Sequence, residues 1–320
     1  MALRSMIEHQ RHDIEVVAIN DLGPVETNAH LLAFDSVHGK LANSVEASDG
    51  KITIDGRDIL VTAERDPSKL AWGDKGVDIV FECTGIFTAP EKASAHLGAG
   101  AKRVLVSAPS TSEVRTIVYG VNHDTLEAGD DIVSNGSCTT NCLAPVAKVL
   151  METCGIDRGY MTTVHSYTGD QPTLDTMHKD LYRARAAAQN MIPTSTGAAK
   201  ALGLVIPELA GKLDGSAVRV PTPNVSLIDL AFVPSRSTSV EAINAAMKEA
   251  SEGQLKGVLG YTEKKLVSTD FNHDAHSSSF AAAQTQIVDG GLVRVLSWYD
   301  NEWGFSTRMS DTALAMAKYL

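Results

Sequence analysis

Apolar positions recur along the chain at two periods, and the change between them divides it. Helical spacing shows first over residues 3–9, where Leu3, Met6 and Ile7 share one side. An apolar run over 14–19 predicts a strand ending in Asn20-Asp21-Leu22-Gly23-Pro24, and 27–34 predicts a helix. Residues 45–54 and 58–63 alternate apolar and polar, which predicts two exposed strands about the turn Asp55-Gly56. Residues 77–83 form a continuous apolar run before Thr84-Gly85, the pattern of a buried parallel strand. A helix over 89–99 and a second buried strand over 103–107 follow. Strands alternating with helices predict a doubly wound α/β domain with a parallel sheet. Its ligands bind beyond the carboxyl ends of the strands, where Asp21, Thr84 and Ser107 fall.

Past the strand at Ile132 and Val133 the pattern changes. Leu143, Val146, Ala147 and Leu150 follow at helical spacing, with Ser137 as the expected N-cap. Pro145 cannot donate to the carbonyl of Asn141, so a kink or a separated first turn is expected. Strands are predicted over 161–164, 216–220, 226–233, 265–268, 283–287 and 292–299, and helices over 240–252 and 310–319. The segment 175–189 is rich in Arg, His and Lys without apolar periodicity, and reads as an ordered loop. Such a mixture predicts an α+β second domain.

Bulk properties narrow the function classes. A chain of 320 residues has room for two domains of ordinary size, and 43% apolar content supports real cores. The net charge of −11 argues against nucleic acid as a main partner, so an anionic substrate needs a local cluster of Arg and N–H donors. Four cysteines without a regular framework point to a reducing compartment. The first residues lack an apolar signal-peptide core, and no apolar run reaches about 18 residues. A soluble, cytoplasmic protein is expected.

Candidate chemistry concentrates in Ser134-Asn135-Gly136-Ser137-Cys138-Thr139-Thr140-Asn141-Cys142. Cys138 stands at a strand-to-helix junction, where unpaired backbone N–H groups and a partial positive charge favour a thiolate and lower a cysteine pKa. The same N–H groups can stabilise an oxyanion on a carbonyl substrate. Cys142, Cys83 and Cys154 read as small apolar core residues. Cys-x3-Cys lacks a second pair, which disfavours zinc. His165 follows a strand, a position suited to a base for Cys138. Arg183, Arg185 and Arg219 fit either solvated charges or anion ligands, and Thr194-Ser195-Thr196-Gly197 fits either a helix cap or a phosphate site.

These residues closely resemble the phosphorylating, bacterial type of glyceraldehyde-3-phosphate dehydrogenase. The signature Ser-x-x-Ser-Cys-Thr-Thr-Asn-Cys-Leu-Ala-Pro runs from Ser134 to Pro145. His-Ser-Tyr-Thr at 165–168, Ile-Pro-Thr-Ser-Thr-Gly-Ala-Ala-Lys at 192–200, Arg-Val-Pro-Thr-Pro-Asn-Val-Ser at 219–226 and Trp-Tyr-Asp-Asn-Glu-Trp-Gly-Phe at 298–305 add four matches. The resemblance implies an NAD-binding domain over 1–136, with the C-terminal helix 304–320 packed on it, and a catalytic domain over 137–303. It implies Cys138 as nucleophile and His165 as base, with Ser137 beside the substrate. Thr139, Thr196, Gly197 and Arg219 resemble the site of the attacking phosphate, and Thr168 and Arg183 that of the substrate's own phosphate. Asn301 resembles the contact to the nicotinamide, and Asp21, Arg65 and Ser107 those to the adenosine half. NAD, glyceraldehyde 3-phosphate and inorganic phosphate are the implied small molecules, with no metal, no membrane partner and a homotetramer as the assembly.

Four departures bear on these expectations. Gly136 stands where the family often has Ala, and Phe305 where many members have Tyr. At Leu174-Asp175-Thr176-Met177 the last two positions replace a common Leu-Pro, yet Asp21 still repels a 2′-phosphate, which favours NAD over NADP. Family members also open with a strand and a Gly-x-Gly-x-x-Gly loop, whereas these residues open inside the helix expected after that loop. Loss of the loop implies weak NAD binding and a less stable sheet. Erythrose-4-phosphate dehydrogenase and a truncated, impaired homologue are the competing readings.

Overall fold

The computed structural model describes residues 1–111, 113–288 and 291–320. It divides into two compact units. The first comprises Met1–Thr116, Asp124–Asn135 and Met309–Leu320, the second Ile117–His123 and Gly136–Arg308.

In the first unit the expected α/β pattern forms two four-stranded sheets. One runs from Ala18–Asn20 to Arg57–Thr62 in parallel, then through the antiparallel strands Lys51–Ile54 and Val45–Ser48. The apolar run that predicts a strand over 14–19 therefore pairs only at its end. The single strand expected over 45–54 is a hairpin instead: Asp49-Gly50 turns the chain, with Gly50 at φ 71° and Ser48 opposite Lys51. Asp55 and Gly56, at φ 47° and 80°, close the next two-residue hairpin as expected. The other sheet is parallel throughout, in the order Ile79–Glu82, Arg103–Val106, Ile132–Ser134, Arg115–Thr116. Ala18–Asn20 and Ile79–Glu82 are each the terminal strand of their sheet.

A buried polar chain braces the end of the Ile79–Glu82 strand. Trp72 Nε1 donates to His96 Nδ1 at 3.1 Å, and an indole N–H can only donate. His96 is therefore the Nε2–H tautomer and donates to Glu82 at 2.8 Å. The other oxygen of Glu82 accepts from the Thr84 N–H at 2.7 Å and from the Thr84 hydroxyl. Burial alone would raise the Glu82 carboxyl, but the hydrogen bonds from His96 and Thr84 outweigh it and hold the group below its ordinary value. Met309–Leu320 is tied to this unit through Arg11 to Asp311 at 2.8 Å and Thr312 to Asn135 at 2.8 Å.

The second unit is built on a mixed sheet in the order Ile192–Ser195, Leu213–Val220, Arg158–Ser166, Ser226–Val233, Leu292–Tyr299, Ser278–Ala281, Leu259–Thr262. Gln286–Val288 pairs beside it on Leu292–Tyr299. Ser226–Val233 alternates buried and half-buried residues, so Ile228, Leu230 and Phe232 join one core. Leu143 and Leu150 from the Cys138–Thr153 helix, Leu202 from Ala198–Val205 and Met247 from Val240–Glu252 belong to the same core. No strand forms over 265–268; a 3-10 turn follows at Ser268–Phe271, and the pairing is made by Leu259–Thr262. The C-terminal helix begins at Trp303, seven residues before its expected start at 310, because the Asp300 carboxylate accepts the N–H of Trp303 at 2.8 Å and caps it.

Glu82→Ala should cost about 1–3 kcal/mol in urea unfolding, because it strands the buried Nε2–H of His96. With its folded pKa lowered, Glu82 contributes fully above the unfolded carboxyl's pKa. The contribution fades as pH falls through the lower folded value. Unfolding curves of the two proteins should therefore converge in acid.

Candidate active site

The junction before Cys138 is made by Gly136, whose φ of 67° suits a residue without Cβ. Ser137 then caps the helix, its Oγ accepting the Thr140 N–H at 3.0 Å. The helix runs unbroken over Cys138–Thr153 with Pro145 inside, so no separated first turn forms. The Ser137 carbonyl accepts both the backbone N–H of Asn141 at 2.9 Å and its side-chain amide at 3.0 Å, which pins the first turn. Cys138 occupies the first helical position, beside unpaired backbone N–H groups.

His165 lies on the neighbouring Arg158–Ser166 strand, with its Nε2 3.5 Å from Cys138 Sγ. Its Nδ1 is 2.7 Å from the carbonyl oxygen of Ser166, which can only accept. Nδ1 therefore carries the proton and Nε2 presents a bare lone pair to the thiol. Burial, reinforced by the charge of Arg219, pulls the imidazole down to about 3. Burial also pushes the Cys138 thiol up, against the pull of Arg219 and of hydrogen bonds from Thr139. This departs from the expected lowering: the helix terminus and the guanidinium act in that direction, but desolvation of the thiolate is larger. At neutral pH the pair is a thiol facing a neutral base.

Two guanidiniums flank the pair. Register places Arg219 opposite His165 on adjacent parallel strands. Arg219 donates to the Ser166 carbonyl at 3.0 Å and to the Thr168 hydroxyl at 3.2 Å, while its Nε is buried without an acceptor among the described residues. Arg183 donates to Asp170 at 2.8 Å and Thr194 at 3.1 Å. Thr168 is thus hydrogen-bonded to Arg219, and it also lines one cavity with Arg183, the residue with which the resemblance groups it. A cavity of about 390 Å³ lies here, lined by Thr168, Asp170, His178, Arg183 and Ser195 among others. Thr196 and Gly197 form the entry to the Ala198–Val205 helix, where the Thr196 hydroxyl accepts the Ala198 N–H at 3.2 Å. Thr139 is turned inward, its hydroxyl 2.8 Å from Tyr299 Oη, which also reaches Thr163 at 2.9 Å.

Asn301 is buried, and its Oδ1 accepts from the Ser166 and Ser226 hydroxyls, both at 2.8 Å. In the first unit Asp21 follows the strand Ala18–Asn20 with an exposed carboxylate, one oxygen of which accepts the Gly23 N–H at 2.7 Å. Its other oxygen makes no hydrogen bond among the described residues, which suits a ribose diol. Arg65 is exposed beyond the adjacent strand Arg57–Thr62, and Ser107 follows Arg103–Val106, its N–H bonded to the Glu82 carbonyl at 3.0 Å.

Tyr299, Ser166 and Ser226 were not singled out as site residues from the sequence; all three lie inside the quoted motifs, which was the available signal. Cys142 and Cys154 are buried as expected, the former pushed up to about 12 by burial. Cys83 is exposed instead, because its strand ends at Glu82.

Known proteins share this chain's sequence across both units. The family model described as glyceraldehyde 3-phosphate dehydrogenase, NAD binding domain, matches residues 1–90. The one described as glyceraldehyde 3-phosphate dehydrogenase, C-terminal domain, matches residues 137–301. A glyceraldehyde-3-phosphate dehydrogenase of Cereibacter sphaeroides is 65% identical over 318 residues, covering 99% of this chain and 95% of that one. One from Xanthobacter flavus is 66% identical over 316 residues (99% and 94%), and glyceraldehyde-3-phosphate dehydrogenase 1 of Bacillus subtilis 57% over 307 (96% and 92%). The chain therefore belongs to the glyceraldehyde-3-phosphate dehydrogenase family.

Proposed function

We propose that the protein oxidises glyceraldehyde 3-phosphate with NAD and inorganic phosphate to 1,3-bisphosphoglycerate, through a thioester on Cys138. The observation that carries this reading is the thiol of Cys138 facing the unprotonated Nε2 of His165 at 3.5 Å, beside a half-buried guanidinium whose Nε has no acceptor among the described residues. Cys138 Sγ adds to the aldehyde carbon while Nε2 takes the thiol proton and passes it to the oxygen that gains charge, giving a hemithioacetal and a neutral His165 again. The backbone N–H groups of Cys138 and Thr139 at the helix start are the donors available to the oxygen that gains charge. Bound NAD supplies the hydride acceptor. Asn301 would hold its nicotinamide end, and Asp21, Arg65 and Ser107 its adenosine end. His165 takes the hydroxyl proton of the hemithioacetal as the acyl group becomes a thioester. Phosphate oxygen then attacks the acyl carbon, and the Cys138 thiolate leaves.

Arg219, with Thr168 on one side and its free Nε on the other, and Arg183 are the cations available for the two phosphates. Ser137, Thr196 and Gly197 would supply neutral donors around them, and Thr139 its backbone N–H, since its hydroxyl is turned to Tyr299. Domains of 1–136, with helix 304–320, and 137–303 remain our assignment of cofactor and catalytic roles. Self-association as a homotetramer is supported by the exposed apolar residues Leu174, Met177, Leu181, Tyr182 and Met191 around the 175–189 loop. Among the described residues no helix is long and apolar enough to cross a membrane, and all four cysteines are free, which supports a cytoplasmic site of action.

NADH formation from glyceraldehyde 3-phosphate, dependent on phosphate and exceeding that from erythrose 4-phosphate, tests the reaction. Alkylation of Cys138 in cofactor-free protein should keep accelerating above pH 9, since its raised pKa leaves little thiolate at neutrality. A plateau below pH 8 would contradict the buried thiol–imidazole pair. Arg219→Ala should weaken phosphate use by about 1.5–3 kcal/mol in kcat/KM, the worth of a hydrogen bond to a charged group. Phosphate saturation curves read this directly. Sedimentation should give four times the 34.0 kDa chain mass, and Leu181→Asp with Met177→Asp should shift it to smaller species.

A further inference from the structure

Asn301 is held more firmly than a surface-facing amide requires. The carboxylate of its neighbour Asp300, 1% exposed, accepts the N–H groups of His273, Glu302 and Trp303 and the Asn224 amide, at 2.7–2.9 Å. The backbone at Asn301 is thereby anchored. Its side chain then meets Ser166 and Ser226, which are 0% and 1% exposed.

Proton accounting sets which end of the amide points inward. Ser226 Oγ accepts the Ser166 N–H at 3.0 Å, so its own proton must go elsewhere. Both hydroxyls lie 2.8 Å from Asn301 Oδ1. If the amide were reversed, its NH2 would face two oxygens; one hydroxyl could turn to the other at 3.4 Å, and the remaining buried proton would have no acceptor among these groups. The oxygen is therefore inward. Asn301 Nδ2 makes no hydrogen bond among the described residues, so the group turned outward is a pure donor.

Resting on the reading of Asn301 as the nicotinamide contact, we propose that Ser166 and Ser226 are positioning residues. Their hydroxyls lock the Asn301 amide so that it selects the carbonyl oxygen, and rejects the NH2, of the cofactor's carboxamide. A donor-only group cannot pair with the NH2 end, so one orientation of the pyridine ring is favoured over its flipped form. The design separates two tasks within one residue. The Ser166 carbonyl holds His165 and Arg219, and its hydroxyl holds Asn301. Replacing the side chain leaves the carbonyl in place.

Calorimetry on the full chain with defined dinucleotides tests the proposal. The 3-acetylpyridine analogue keeps the ring carbonyl and loses the NH2, and should bind within about threefold of NAD; the analogue with no carboxamide should bind roughly tenfold more weakly. Asn301→Asp keeps an acceptor for both serines but has no N–H to offer, and should bind NAD roughly tenfold more weakly. Ser166→Ala with Ser226→Ala should lose the discrimination between NAD and the analogue lacking the carboxamide. The serine variants should keep the parent pH profile of Cys138 alkylation. A shifted profile would make the serines general supports and overturn the proposal. So would tight binding by Asn301→Asp, or weak binding of the acetylpyridine analogue to the parent. NADH production by a parent that shows no discrimination defeats this inference and leaves the proposed reaction standing. Discrimination without turnover does the reverse, and a parent that binds no NAD defeats both.

Discussion

The hydrogen bond from His165 Nδ1 to the Ser166 carbonyl, 2.7 Å long, decides what the catalytic pair can do. Burial and the nearby arginine make the imidazole neutral, but neutrality leaves two tautomers. In one, an Nε2–H would meet the S–H of Cys138, donor against donor, and no base would exist. The carbonyl removes that tautomer without adding a charge. In the serine-protease triad a tautomer error of this kind costs about 10⁴ in kcat, which sets the scale of what one backbone acceptor can control.

Arg219 acts on both members of the pair, and in the same direction. It lowers the thiol, which helps ionisation, and lowers the imidazole, which opposes it. Burial then separates the two, raising the thiol while lowering the base. These shifts favour the uncharged pair over thiolate and imidazolium. Under the proposed reaction, a substrate phosphate brings negative charge to the same guanidinium and offsets part of its field at His165. Proton transfer then becomes easier when an aldehyde is present to be attacked. The Nε of Arg219, buried without an acceptor among the described residues, is the donor such an anion would meet.

How much of this was legible in the sequence depended on whether local chemistry or tertiary pairing set the outcome. Ser137 as cap, Cys138 at the first helical position and the strands 226–233 and 292–299 follow from near neighbours, and they stand where the pattern puts them. The hairpin at Asp49-Gly50 was readable too, since Asp-Gly is a turn pair, but alternation across 45–54 masked it. The partner of Thr168 was not readable. Spacing along the chain cannot say which arginine meets it, because strand register places Arg219 there. Nor could the acceptor for His165 be read, since any residue can supply a backbone carbonyl. The thiol's raised pKa was missed for a related reason. Helix position is local, whereas burial is a property of the whole fold.

Register is also why the site can be precise. Ser166 pairs with Val220 at the ends of two parallel strands, and Ser226 pairs with Tyr299 across two antiparallel ones. Val164 opposite Leu227 links the two sets. Four adjacent strands therefore begin or end at one level of one sheet, and the groups that touch Cys138, His165 and Asn301 leave from that level. The alternation behind them commits Ile228, Leu230 and Phe232 to the core. A slip of one residue in the Ser226–Val233 strand would turn those side chains to the other face and carry Ser226 away from Asn301. The apolar cost of that slip protects the polar geometry. The hydrophobic core holds a hydroxyl 2.8 Å from its acceptor by making every other register unfavourable.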